Sequence, residues 1–114
     1  MGAARGTGGF RKVGDRYDSY TVVDADGDKI GTVDTTYVDE TSQREYIAVR
    51  RGLTGLLPGT GSSIIPMDVC AVDNTSRTIQ ASTHKDTVKN SPSLSTNQEM
   101  TPEYEGQVRS YYRL

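Results

Sequence analysis

The chain has 114 residues and a mass of 12.4 kDa, with 13 Lys and Arg against 15 Asp and Glu for a formal net charge of −2. That size admits one domain with tails and excludes a multidomain enzyme. The near balance of charge denies the chain a strongly basic footprint for nucleic acid, and its single cysteine excludes an internal disulfide.

Residues 1–16 hold five glycines and no apolar period, so they read as a flexible arm. The Gly6-Thr7-Gly8-Gly9 run lacks the Lys-Ser/Thr ending and the preceding strand of a phosphate loop. Tyr17, Tyr20, Val22 and Val23 open a strand of aromatic and β-branched residues. Asp24-Ala25-Asp26-Gly27-Asp28 is a hairpin turn in which Asp-Gly supplies the positive φ. Its alternating acids do not form a helix-loop-helix calcium site, because the sixth and twelfth positions are Lys29 and Thr35 instead of Gly and Glu. They read as a solvated tip.

A second strand runs from Lys29 to Val38, with Gly31 marking a bulge or bend. After a polar turn, residues 45–50 form a third strand, with Ile47 and Val49 on one face. The segment 52–63 is rich in Gly, Leu and Pro. Ile64, Ile65 and Met67 then make a short strand bent at Pro66, continued by residues 69–72 and, past a turn at 73–76, by a strand over 77–81. Five or six short strands with turns between them predict an all-β barrel or sandwich.

The character of the chain changes after Ala81. Thr83 is placed to cap a short helical turn with Asp86 three residues later, and Pro92 follows its end. Residues 93–100 read as a linker. Thr101-Pro102-Glu103 starts a helix to about Tyr112, with Tyr104, Val108 and Tyr111 on one side. Such a short helix needs a partner surface.

The ordered series of motifs resembles the PRC-barrel domain family, closest to bacterial stress-type proteins that carry it. The matching pieces are the turn at Asp24–Lys29, Ile30-Gly31-Thr32-Val33, Tyr37-Val38-Asp39, Glu45-Tyr46-Ile47-Ala48-Val49-Arg50, Gly52-Leu53-Thr54-Gly55, Ile64-Ile65-Pro66-Met67, the stretch His84 to Lys89 with Pro92, and the final Thr101-Pro102-Glu103 and Tyr111-Tyr112. The resemblance covers about residues 17–112. It implies a small six-stranded β-barrel used for binding or assembly, with no shared catalytic residues. Three parts are expected: an arm over 1–16, a PRC-type barrel over 17–90, and a linker with a C-terminal helix over 91–114. Relatives include a membrane-anchored component of photosynthetic reaction centres and RimM-type ribosome maturation factors. The membrane helix of the first and the separate N-terminal domain of the second have no counterpart here.

Candidate chemistry is sparse. Cys70 and His84 are the only cysteine and histidine, too few for a zinc site within one chain. Cys70 lies in a strand between Val69 and Ala71, where a small buried hydrophobe is the ordinary role. Seven tyrosines lack the cationic groove of a single-strand stacking platform. No catalytic, metal or cofactor site is expected. Leu53, Leu56 and Leu57, with Ile64 on a barrel face and Tyr104, Val108 and Tyr111 on the tail helix, are the expected contacts with another protein or in a homodimer. The competing possibility is that the leucines fold back and close a barrel mouth. If the loop is the contact, Leu56→Asp with Leu57→Asp weakens association and leaves the fold intact. A second function class, an accessory factor for RNA or ribosome assembly, needs one basic face from Arg11, Lys12, Arg50, Arg51 and Arg77; a reaction-centre-associated role is a third and weaker alternative. No stretch approaches the roughly 18 apolar residues of a membrane span, and Met1 to Phe10 lack a signal-peptide core; a cytoplasmic location is expected.

Overall fold

The computed structural model describes residues 9–51, 57, 59–95 and 98–114. Among these residues eight strands follow in chain order: β1 (Phe10–Lys12), β2 (Thr21–Val23), β3 (Lys29–Asp39), β4 (Glu45–Arg50), β5 (Ser62–Pro66), β6 (Cys70–Asp73), β7 (Thr78–Ala81) and β8 (Ser93–Leu94). Helix α1 (Lys85–Lys89) lies between β7 and β8, and α2 (Pro102–Tyr111) follows β8.

The hydrogen-bonded path runs β6-β7-β2-β3-β4-β5-β8, with β1 pairing β3 off that path. The 11-residue β3 belongs to both halves of the molecule. Its first residues pair with β2, its last with β1, and its other edge with β4. A register shift between Val33 and Thr35 bends it, as bulges do where a sheet must turn. Gly31 lies opposite Val22, and a Cβ there would stand 2.8 Å from Val49 Cγ1; the missing side chain lets β3 approach Val49 closely.

The resemblance implies a closed six-stranded barrel, and the path is longer and open. Phe10–Lys12, which read as part of the flexible arm, pair in register with Tyr37–Asp39. Ser93–Leu94, which read as linker, pair with Ser62 and Ser63. Both additions give partners to backbone groups at the ends of β3 and β5. The path ends at β6 and β8, and β5 and β6 are not paired with each other: Pro66 leads into a 3₁₀ turn over Met67–Val69 that joins them by a corner of chain. The only parallel pair in the path joins β2 to β7.

Val22, Ile30, Ile47, Val49, Ile64, Ile65 and Ile79 form the centre of the core. Helix α2 seals it by packing on β5, burying Tyr104 and Val108. Its start is as the sequence predicts: the Thr101 hydroxyl accepts from Tyr104 N at 3.1 Å, with Pro102 in the first turn. Helix α1 is capped differently from expectation. The cap is His84, whose Nδ1 accepts from Asp86 N at 3.1 Å, and not Thr83.

Tyr104 puts its hydroxyl into this interface with no hydrogen-bond partner among the described residues. A buried unpaired hydroxyl costs about 1–3 kcal/mol. Tyr104→Phe is therefore expected to leave the urea midpoint unchanged or to raise it.

Candidate functional site

The acidic turn is the first place where chemistry gathers, and it is not the solvated tip that its composition implies. Asp24 is fully buried. Its Oδ1 accepts from Asp26 N at 3.0 Å and Asp28 N at 2.8 Å, and its Oδ2 accepts from Lys85 N at 2.9 Å. One carboxylate thus holds the hairpin turn and the start of α1 together. Burial by itself pushes its pKa up, but the three N–H donors outweigh burial and hold it below the ordinary carboxylate value.

Donor atoms of Asp24, Asp26 and His84 lie within 4.8 Å of one another. Most of their acceptor positions are already engaged within the chain. Both Asp24 oxygens already serve backbone N–H groups. The His84 Nδ1 lone pair is engaged by Asp86 N, which puts the proton of the neutral ring on Nε2, facing Asp26 Oδ2 at 3.7 Å.

A second polar cluster fastens the tail helix. The Tyr46 hydroxyl donates to Glu105 Oε2 and accepts from Arg109 Nη1 at 3.3 Å. Arg109 also grips Asp68 with both terminal nitrogens, at 3.1 and 3.4 Å. Burial, reinforced by Glu105, pushes the Tyr46 phenol well above its usual pKa, while the Arg109 hydrogen bonds hold Asp68 low. Tyr111 completes the attachment by donating to Thr87 O at 2.6 Å, which joins α2 to α1.

Cys70 carries no activated chemistry. Burial, with Asp68 adding, pushes its thiol up to about 12, whereas a nucleophilic cysteine needs a thiolate near neutral pH. Its sulfur contacts Pro66 O at 3.5 Å, and the charged neighbours of His84 include Asp24, Asp26 and Asp86.

The expected contact residues are mostly committed inside the chain. Leu57, Ile64, Tyr104 and Val108 are buried in its own core, and Tyr111 is half-buried with its hydroxyl engaged. Leu53 and Leu56 lie outside the described residues. Leu57 is only 3% exposed; aspartate there would break the core, so the paired Asp substitution does not isolate association. The five cations do not offer one free basic face either. Arg11 faces Glu40, Arg50 binds Asp34 at 2.7 Å, Lys12 lies over the Tyr37 ring, and Arg77 donates to Asp18 O. Arg51 turns inward: its Nε donates to Ser63 Oγ at 2.7 Å and its Nη2 to Lys89 O at 2.8 Å, so it closes the C-terminal end of α1.

The family model of the PRC-barrel domain matches residues 15–88. The chain belongs to the PRC-barrel family. The match begins after β1 and ends inside α1, so β1, β8 and α2 lie outside the matched residues. A search of curated proteins finds no match. No helix among the described residues of this PRC-barrel protein is long and apolar enough to cross a membrane.

Proposed function

We propose that this PRC-barrel chain is a non-catalytic module that binds another protein, or a second copy of itself, along the open edge of β6. The observation that carries this reading is the strand path. It ends at β6, whose outer edge has no strand partner among the described residues. Exposed strand edges accept a further strand through main-chain hydrogen bonds. The protonated Cys70 thiol and the occupied acceptors around His84 favour binding over catalysis. The resemblance to stress-type relatives supports a role under stress.

Ala71 is an exposed position on β6, and a lysine there hinders edge pairing. Sedimentation velocity is expected to show self-association of the unmodified chain and its loss in Ala71→Lys, with the melting temperature unchanged. For a partner of different sequence, a pull-down from cell lysate with and without ribonuclease gives the same contrast. A protein set that survives ribonuclease and is lost in Ala71→Lys supports the reading. Ribosomal proteins lost on ribonuclease treatment favour RNA or ribosome assembly instead, and identical behaviour of the two chains in both experiments removes β6 as the contact.

A further inference from the structure

A cavity of about 140 Å³ opens between the start of β3, Leu57 and α1. Ile30 and Leu57, buried to 1% and 3% exposure, give it an apolar floor. Lys29, Lys85, Lys89 and Asp86 make up the rest of its lining. Lys85 and Lys89 are four residues apart on α1 and so share one helix face. Lys85 Nζ lies 3.4 Å from Asp28 Oδ2. Among the described residues, no carboxylate lies within ion-pair distance of Lys29 or Lys89. The lining therefore carries an excess of positive charge above an apolar floor, with Asp86 as its one acid.

The walls are also fixed in place. Asp24 ties the turn that precedes Lys29 to the start of α1. Arg51 ties the other end of α1 through the carbonyls of Lys89 and Ser91. The two lysine-bearing elements are thus set at their spacing before any ligand arrives, which lowers the cost of binding.

We propose that this cavity is a binding site for a compact organic carboxylate, its anionic group met by Lys29 and Lys89 and its apolar body resting on Ile30 and Leu57. The volume suits one ring or a short branched chain, since a cavity of about 150 Å³ accommodates benzene. Three ammonium groups over hydrocarbon select for a molecule that is charged at one end and apolar at the other. Asp86 opposes the anion and sets a limit on affinity. The site is separate from the β6 edge and would operate whether or not that edge takes a partner.

The test is a titration of the full chain followed by amide NMR, with benzoate as the probe. Benzyl alcohol (the ring without the charge) and acetate (the charge without the ring) are the comparisons. Benzoate is expected to give saturable shifts at Lys29, Ile30, Lys85 and Lys89 with a Kd on the order of 1 mM. Both comparison molecules should bind at least about tenfold more weakly. Lys29→Ala with Lys89→Ala should weaken benzoate about tenfold at an unchanged melting temperature, because both side chains are exposed. Asp86→Asn should tighten it, a change that a purely structural role of Asp86 does not produce, and Ala71→Lys should leave it unaltered. Absence of saturable shifts overturns the proposal. Equal binding of benzyl alcohol overturns the anionic part, and equal binding of acetate overturns the apolar part.

Discussion

Replacing Asp24 with Ala is expected to lower the melting temperature by roughly 10 °C, a large effect for one side chain in a domain of this size. Three backbone N–H groups in part-buried hydrogen bonds lose their acceptor at once, and each lost bond costs stability. The loss is shared by two elements, because the same carboxylate closes the hairpin turn and starts α1. Asp24→Asn keeps one acceptor oxygen and turns an NH₂ group toward the remaining donors, so it should fall between wild type and Ala. The pH dependence has a definite sign. A carboxylate whose folded pKa is depressed contributes stability that is complete above its unfolded value of about 4 and disappears as pH falls through the lower folded value. Asp39, Asp68 and Asp73 are depressed in the same direction. Thermal melts should therefore show stability level near neutrality and falling steeply below about pH 4, with a shallower fall in Asp24→Asn. An acid limb of equal steepness in the two proteins would remove Asp24 from this role.

Gly61→Ala is the second large effect, expected to cost about 3 kcal/mol in urea denaturation. Gly61 has φ of +78°, and a Cβ there would run into the Leu94 carbonyl oxygen. That oxygen belongs to β8, which pairs with β5 through Ser62 and Leu94, so the methyl group strains the backbone and forces the two strands apart. Gly27 is the control. It has φ of +87° but open space around its Cβ position, so Gly27→Ala should cost only the conformational part, about 1 kcal/mol. Equal losses at the two positions would mean that the β5–β8 contact contributes little.

What could be read from the sequence follows how local each signal is. β3 and β4 are legible because β-branched and aromatic residues recur along them between polar turns. The start of α2 is legible because Thr101, Pro102 and Glu103 each satisfy a separate requirement of a helix terminus. β1 is not, since Phe-Arg-Lys among glycines carries no alternation; only the unused edge of β3 makes it a strand. β8 is two residues long and offers even less. Asp24 has the sequence context of an exposed turn acid. Its burial depends on Lys85, some sixty residues later, arriving with an N–H to donate. Histidine as a helix cap in place of Thr83 is a similar case, decided by the position of the backbone and not by residue preference. The inward turn of Arg51 is hidden for the same reason, because its acceptors are carbonyls at the end of α1.

The pairing of β2 with β7 bears on how the chain reaches this structure. Thr21–Val23 meet Thr78–Gln80 side by side, across more than fifty residues of intervening chain. Bringing distant segments together costs loop-closure entropy before any contact rewards it. The β3–β4 hairpin, joined by a five-residue turn, carries no such burden and can form early. Refolding should thus wait on the arrival of β7, with a rate roughly in the millisecond-to-second range of domains dominated by distant contacts. Substitutions in the β2–β7 ladder would then chiefly alter the time the chain spends half-assembled, with its sheet edges open to neighbouring chains.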